Sequence, residues 1–273
     1  MNILITGASG FIGGLLLEVL KGKNYNIVGT VLTGRANSDD CKVIRIDLSN
    51  KSEASNFFFE NKFDIIFHFA AFISPKLNEE NPSKAELYNV GVTKNIIDGI
   101  NKNCHLIFLS TDKVFDGSVD SPDEETLVAP CCLYGKLKYD CEKLIKNKID
   151  SHHIFRLPIV HSLGSLNSSS FIDKSILSIE SGNSISIYSN IKRSFLRIDE
   201  LIKLLFTTIE NNNYGTYHIG TKDMSYYDRL IQILDEKKID STGLIDKEIG
   251  NVIPEKQNLN TTKARNIFGF EFS

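Results

Sequence analysis

The segment Gly7-Ala8-Ser9-Gly10-Phe11-Ile12-Gly13 constrains this chain more than any other, because it joins an apolar run, Asn2 to Ile5, to an amphipathic stretch, Phe11 to Lys21. A strand that turns into a helix over so few residues needs backbone that tolerates positive φ. The turn also leaves the first N–H groups of the helix without intrahelical partners and with a partial positive charge. A phosphate is attracted there, and it can reach the backbone where no side chain intervenes. A strand-to-helix turn without a ligand uses similar residues, but glycines set between an opening strand and a helix favour the phosphate reading.

The alternation continues through the first two-thirds of the chain. Strands are expected at Asn2 to Ile5, Asn26 to Val31, Lys42 to Ile46, Ile65 to Phe69, His105 to Ser110 and Ser151 to Arg156, with helices at Phe11 to Lys21, Lys51 to Asn61, Ser83 to Lys102 and Leu133 to Lys148. Several of the strands are apolar on both faces, as in a parallel sheet covered by helices on each side. The expected fold class is therefore α/β with a doubly wound parallel sheet. After Arg156 the pattern loosens, with a Ser/Asn-rich stretch from Ser162 to Ser170 and then short mixed elements, which reads as a smaller lobe; Asp199 to Asn211 is expected to return to the main sheet. Asp116 to Pro130, acidic and Pro-containing, reads as a long loop, a kind often functional in compact domains.

Composition narrows the partners. A net charge of -3 gives no basic field for a phosphate backbone, so nucleic acid is not expected. No apolar run reaches the ~18 residues of a membrane span and the N-terminus lacks a secretory pattern, so a cytoplasmic protein acting on a small molecule is expected. The five cysteines and the histidines, among them His152, His153, His161 and His218, show neither a disulfide framework nor metal-ligand spacing, so no metal is expected. His68, inside an apolar strand, reads as packed.

Tyr134 and Lys138 stand four apart on an expected helix, on one face and one turn from each other. A phenol with an ordinary pKa of about 10 is a poor acid–base group at neutral pH, and a neighbouring ammonium lowers that value. The strand from His105 ends at Ser110-Thr111-Asp112, where parallel strands present ligands. A hydroxyl there, Thr111 with Ser110 as the fallback, can donate to an oxygen on which charge develops.

Together, the glycine loop and the Thr111, Tyr134, Lys138 set resemble the extended short-chain dehydrogenase/reductase family. The stretches Ser110 to Gly117 and Pro130 to Lys138, with Asn89 to Thr93, Gly215 to Ile219 and Asn258 to Asn260, look most like its dTDP-4-dehydrorhamnose reductase group. The resemblance implies an N-terminal Rossmann domain over 1–156, completed by roughly 185–215, and a smaller C-terminal substrate-binding lobe over 157–273. It implies an NAD(P)-dependent oxidoreductase reducing a nucleotide-linked 4-keto sugar, with Thr111, Tyr134 and Lys138 catalytic. The cofactor contacts it implies are Gly7, Ser9, Gly10, Phe11, Ile12, Gly13, Asp47, Leu48, Ala70, Ala71, Tyr134, Lys138 and Pro158. Asp47 also reads as favouring a helix start beside an Asn50–Glu53 capping box, and Ala70-Ala71 as tight packing. The second strand ends without the carboxylate that usually binds an NAD ribose, while Thr30 and Arg35 suit a 2'-phosphate, so NADP(H) is favoured and NAD(H) remains open.

For the substrate, Lys113, Phe171 and Arg193 are the candidates, each with a plain alternative as a loop lysine, a core ring and a surface charge. The chain departs from the reductase group at Lys113, where Tyr is usual, and at Phe72-Ile73-Ser74-Pro75-Lys76, which leaves the sugar undetermined. Ser110-Thr111-Asp112-Lys113 also resembles nucleotide-sugar dehydratases, so an epimerase or dehydratase of the same family stays open, as does a non-catalytic NAD(P)-binding regulatory subunit. A homodimer is compatible with each of these readings.

Overall fold

The computed structural model of the chain describes residues 1–34, 41–164, 170–252 and 254–272. Arg35, a candidate for the cofactor, lies outside them. The chain divides into two compact units, one made of Met1–Phe115, Val128–Arg156 and Ile202–Tyr217, the other of Asp116–Leu127, Leu157–Leu201 and His218–Ser273.

The first unit begins β1 (Asn2–Thr6), α1 (Phe11–Leu20), β2 (Asn26–Val31), β3 (Lys42–Arg45), α2 (Lys51–Glu60) and β4 (Ile65–His68). It continues with the short helices α3 (Pro75–Glu80) and α4 (Pro82–Glu86), a π turn at Leu87–Gly91, then α5 (Val92–Gly99), β5 (His105–Thr111), α6 (Leu133–Lys148) and β6 (His152–Leu157). With β11 (Gly215–His218) the strands form one sheet in the order β11-β6-β5-β4-β1-β2-β3, with parallel pairing from β3 through β5. The order reverses between β1 and β4, the switch point at which open α/β sheets bind ligands beyond the strand ends. The doubly wound α/β fold expected from the alternation is the one observed.

Apolar patterning explains the layers. Every residue of β5 is buried, as a strand covered on both faces requires. One face packs Leu4, Ile66, Leu106 and Phe108 against Phe57 and Phe58 of α2, Ile96 of α5 and Ile145 of α6. The helix expected over Ser83 to Lys102 is broken into α4, the π turn and α5. Pro82 fixes the first turn of α4, and the Asn89 amide reaches back to the Ala85 carbonyl at 2.9 Å.

The second unit contains β7 (Ile159–His161) paired with β10 (Phe195–Arg197), α7 (Phe171–Glu180), β8 (Ile185–Tyr188) paired with β13 (Ile245–Glu248), and β9 (Lys192–Arg193) between β12 (Met224–Ser225) and β14 (Lys256–Gln257). Helix α9 (Tyr226–Lys237) follows β12 and helix α10 (Thr262–Phe268) follows β14, and α7 and α9 enclose a core of Ile172, Ile176, Phe195, Leu230 and Ile233. The loop starting at Asp116 is tied down rather than loose. Pro122 accepts from Asn260 N–H at 2.9 Å, and Glu124 accepts from His218 N–H at 2.7 Å. Helix α8 (Ile198–Thr207) crosses from the second unit to the first, so the segment from Ile202 joins the main sheet's unit.

Candidate active site

At the switch point the loop after β1 and the loop after β4 are pressed together. Gly7 has φ of +69°, and a Cβ there would stand 2.9 Å from the Ala70 nitrogen; at Gly13 it would stand 2.4 Å from the Gly7 carbonyl oxygen. Glycine at both places is therefore a condition of the loop closing at all. Gly10, exposed, is the N-cap of α1 and brings no side chain to the first-turn N–H groups of Phe11, Ile12 and Gly13. Those groups point along the axis with the positive end of the helix dipole behind them, a cradle for a pyrophosphate.

A buried histidine holds the two loops in register. Thr93 Oγ1 donates to the Asn89 carbonyl at 2.8 Å, so at 3.0 Å it accepts from Nε2 of His68. His68 Nδ1 is then the acceptor for the Thr6 hydroxyl, also at 3.0 Å, which leaves the Thr6 oxygen free to accept the N–H groups of Phe69 and Ala70 at 3.1 Å each. Burial, followed by the charge of Lys138, pushes the His68 imidazole down to about 3, so it works as a neutral bridge. Asn89 completes the frame by accepting from Phe72 N–H at 3.1 Å, while Asn78 donates to the Phe72 carbonyl at 2.7 Å.

Around the cradle, Ser9 Oγ lies 3.5 Å from the Thr33 carbonyl, and Thr30 is a buried residue of β2 whose carbonyl accepts from Ala8 N–H. Asp47 accepts from the backbone and hydroxyl of Ser49 at 2.9 and 2.6 Å, Leu48 is buried, and Asn50 caps α2 through the N–H groups of Ser52 and Glu53. Ala70 and Ala71 are half-buried.

Two strands away, Thr111 ends β5. Its hydroxyl donates to Asp112 at 3.2 Å and accepts from Lys113 N–H at 3.3 Å. The turn Asp112–Val114 supports the start of α6 closely, since a Cβ at Gly135 would stand 2.0 Å from the Lys113 carbonyl oxygen. Tyr134, the preceding residue, is thereby fixed beside the Thr111 turn. Burial and then the carboxylate of Asp112 hold the Tyr134 phenol above its ordinary value, opposite in direction to what a nearby ammonium alone would do.

Lys138 lies one turn further along α6, 4% exposed, with Nζ 3.7 Å from the centre of the Phe108 ring. Burial lowers its ammonium to about 8, while Cys141 and Glu142 act to keep it charged. Glu142 is fully buried and forms a fork with Arg156, Nε to Oε1 at 3.0 Å and Nη2 to Oε2 at 2.7 Å. Ser110 Oγ donates to the same carboxylate at 2.5 Å, so the fallback hydroxyl is committed to this pair and Thr111 is the one placed at the strand end.

The remaining candidates are spread over both units. Lys113, half-buried, belongs to the first. Pro158, Phe171 and Arg193 belong to the second. Pro158 packs where a Cβ on Gly220 would meet its ring at 2.8 Å, and Phe171 is exposed at the start of α7 with its ring 5.9 Å from that of Tyr226. Arg193 is 6% exposed and donates to the carbonyls of Lys192, Pro254 and Glu255, which takes three of the five donors of a guanidinium. Sequence reasoning missed Thr6, Thr93, Gly135 and Glu142. Only two of them left a signal: a glycine directly after Tyr134, and an acid four residues beyond Lys138 on the face expected to be buried. Among the described residues no cluster of three or more His, Cys, Asp or Glu is placed to hold a metal ion, and no helix is long and apolar enough to cross a membrane.

The family model described as the RmlD substrate binding domain matches residues 1–270. Methionine adenosyltransferase 2 subunit beta of Rattus norvegicus is 29% identical over 161 residues, 59% of this chain and 47% of that protein, so the chain spans about half the length of that relative. A dTDP-4-dehydrorhamnose reductase structure from Yersinia enterocolitica has 26% identity and a TM-score of 0.80, covering 94% of this chain and 89% of that one. The dTDP-4-dehydrorhamnose reductase of Bacillus anthracis str. Ames, solved in complex with NADP, has 21% identity and a TM-score of 0.84, covering 99% and 94%. The family resemblance read from the glycine loop and the Tyr134–Lys138 pair is borne out.

Proposed function

The chain belongs to the RmlD substrate binding domain family, and from that premise we propose that it is an NAD(P)H-dependent oxidoreductase reducing the ketone of a nucleotide-linked sugar, with NADPH the preferred cofactor. The observation that carries this reading is the placement of Thr111, Tyr134 and Lys138 with the side-chain-free N-terminus of α1 at the carboxyl edge of the parallel sheet. The relatives whose names include a dTDP-4-dehydrorhamnose reductase, one of them with NADP, support the substrate and cofactor class.

The residues fit a dinucleotide. Gly7, Ser9, Gly10, Phe11, Ile12 and Gly13 would take its pyrophosphate, Ala70 and Ala71 would line it, and Lys138 would hold the nicotinamide ribose. Asp47 and Leu48 are the proposed adenine contacts, and Thr30 with Arg35 the proposed side of the 2'-phosphate. Bound there, the nicotinamide supplies hydride. The protein supplies the proton and its placement. Tyr134 stays protonated through neutral pH because its pKa is raised, which suits a group that donates to the ketone oxygen as charge develops. Lys138, charged at neutral pH, offsets the phenolate left behind. Thr111 turns its hydroxyl proton from Asp112 to the same oxygen. Lys113, Phe171 and Arg193 are proposed for the sugar nucleotide, and Pro158 for the nicotinamide side.

A panel of keto sugars on dTDP, UDP, GDP and CDP, followed by NADPH oxidation and by thermal shift, tests the reading. Turnover with at least one member supports it. Absence of turnover and of any stabilisation by all four nucleotides overturns it. A second reading is favoured by one observation, that 59% of the chain matches a protein named as a subunit of a different enzyme. In that reading the chain binds NAD(P) and acts through a partner enzyme, and Tyr134→Phe leaves the partner's activity unchanged.

A further inference from the structure

The helix that carries Tyr134 and Lys138 begins without a cap of its own. Cys132 stands at the N-cap of the 16-residue α6, and its side chain accepts no hydrogen bond from the first turn. The leading N–H groups of the helix therefore need acceptors from elsewhere. Leu133 N–H finds one in Oε1 of Glu79, at 2.8 Å. This acceptor belongs to α3, 54 residues earlier, and it is a carboxylate, the group that the positive end of a helix favours.

Glu79 can hold α6 only as firmly as α3 is itself held. Ser74 Oγ caps α3 by accepting from Leu77 N–H at 3.3 Å. Asn78, fully buried beside Glu79 in the chain, donates to the carbonyls of Phe72 and Ser74 at 2.7 Å each, and its Oδ1 accepts from the Asn89 amide at 3.3 Å. The stretch from Phe72 to Asn78 is thus a closed block tied to the π turn, and it starts directly after Ala70 and Ala71. Glu79 is exposed, but the helix beneath it is anchored.

Tyr134 sits between two such anchors. Leu133, the residue before it, is bound to α3, and Gly135, the residue after it, rests on the Lys113 carbonyl. One anchor leaves a pivot about which the first turn can tilt. Two anchors, one from the segment after β4 and one from the turn after β5, remove it.

We propose that Glu79 is a positioning residue for the proton transfer: by capping α6 from α3 it fixes Tyr134 relative to the segment after β4 that lines the cofactor. The proposal rests on the reading of Tyr134 as the acid of a ketone reductase. Loss of the cap frees the first turn to tilt and so misplaces the phenol. Lys138, buried one turn further on, keeps its place.

Kinetics of Glu79→Ala, Glu79→Gln and Glu80→Ala on a keto sugar, with exchange of the Leu133 amide followed by NMR, test this. Glu79→Ala should lower kcat on the order of tenfold, less than the ~100-fold of a 1 Å misplacement, with KM and NADPH affinity within about threefold. Its Leu133 amide should exchange about tenfold faster. Glu79→Gln keeps an acceptor oxygen at the same reach and should restore both kcat and exchange to within about threefold of wild type. Glu80→Ala, whose carboxylate faces Lys76 at 3.8 Å on the same helix, should behave as wild type. The proposal is overturned by a Glu79→Ala protein with wild-type kcat, by a Glu79→Gln protein as impaired as Glu79→Ala, or by equal losses of kcat and NADPH affinity. Absence of turnover in the wild type removes the reductase reading and this role with it, and is told apart by Leu133 exchange that still responds to the Glu79 variants. Unchanged exchange in Glu79→Ala, with wild-type turnover intact, removes the cap alone and leaves the reductase reading standing.

Discussion

Gly135→Ala tests how the catalytic helix is seated. The added Cβ would lie 2.0 Å from the Lys113 carbonyl oxygen, and real Cβ atoms essentially never approach any heavy atom within 3.0 Å. The neighbour is backbone, so it cannot rotate away. The first turn of α6 and the Asp112–Val114 turn must therefore separate by at least about 1 Å, and a shift of that size at a reacting group lowers a rate on the order of 100-fold. Overpacking of this kind costs about 1–3 kcal/mol, a fall in Tm of about 5 °C. The glycine loop lies on other elements and Lys138 is the proposed ribose contact on α6, so NADPH affinity should fall by far less than turnover. Gly14→Ala on α1 is the matched control: its Cβ would meet only the Ala8 carbonyl oxygen, at an ordinary 3.5 Å, and it should stabilise by about 0.5–1 kcal/mol. Steady-state kinetics, cofactor titration and thermal melts of the two variants decide the matter. A Gly135→Ala protein with wild-type kcat and Tm refutes the claim that this contact sets the position of Tyr134.

Tyr134→Phe should bind NADPH within a few-fold of wild type and lose turnover by roughly 100-fold, the scale of a positioned proton transfer; rapid NADPH oxidation by this variant removes Tyr134 as the acid. Glu142→Gln removes the carboxylate that forks the buried Arg156 guanidinium and should destabilise by about 3–5 kcal/mol in urea unfolding, and a loss under about 1 kcal/mol contradicts the pairing. Where that variant folds, the alkaline limb of its activity should move to lower pH, because Glu142 supports the charge of Lys138. His105 and His153 share a 2.7 Å hydrogen bond, and burial lowers them from 6.5 to about 4 and about 3. The unfolded chain therefore binds protons first, so stability is full above about pH 6.5 and declines toward pH 4, by up to ~1.4 kcal/mol per pH unit for each ring. Urea midpoints that are the same at pH 7 and pH 5 exclude this, and His153→Phe should weaken the dependence.

The sheet was legible because its strands are short, bounded apolar runs and its helices carry a clear period. The glycine loop, Tyr134 and Lys138 were legible because their chemistry depends on neighbours close in the chain. What escaped depends on distance. Nothing near Thr6 announces that its hydroxyl will serve a histidine 62 positions on, and Glu142 looks like one more helix acid until Arg156 and Ser110 meet it. Arg193 shows the reverse case, a cation whose sequence context suggested a surface charge or a diphosphate partner but which is buried and gives two hydrogen bonds to carbonyls of a segment sixty residues away.

The π turn at Leu87–Gly91 acts as a buffer of phase. An α-helix advances about 100° per residue, and a π turn is the wider loop left when one extra residue is accommodated without unwinding the turns on either side of it. Remove a single residue from it and the turn tightens to an ordinary α turn, with the helix on either side still in phase, so Thr93 keeps His68 and Ile96 and Ile97 keep the core. Add a residue to a helix with no such turn to absorb it and everything beyond would rotate by about that angle as a body. Insertions and deletions in this chain are therefore far from equivalent: the π turn is the place where the helix can lose one residue of length without moving the hydroxyl chain that reaches back to the glycine loop.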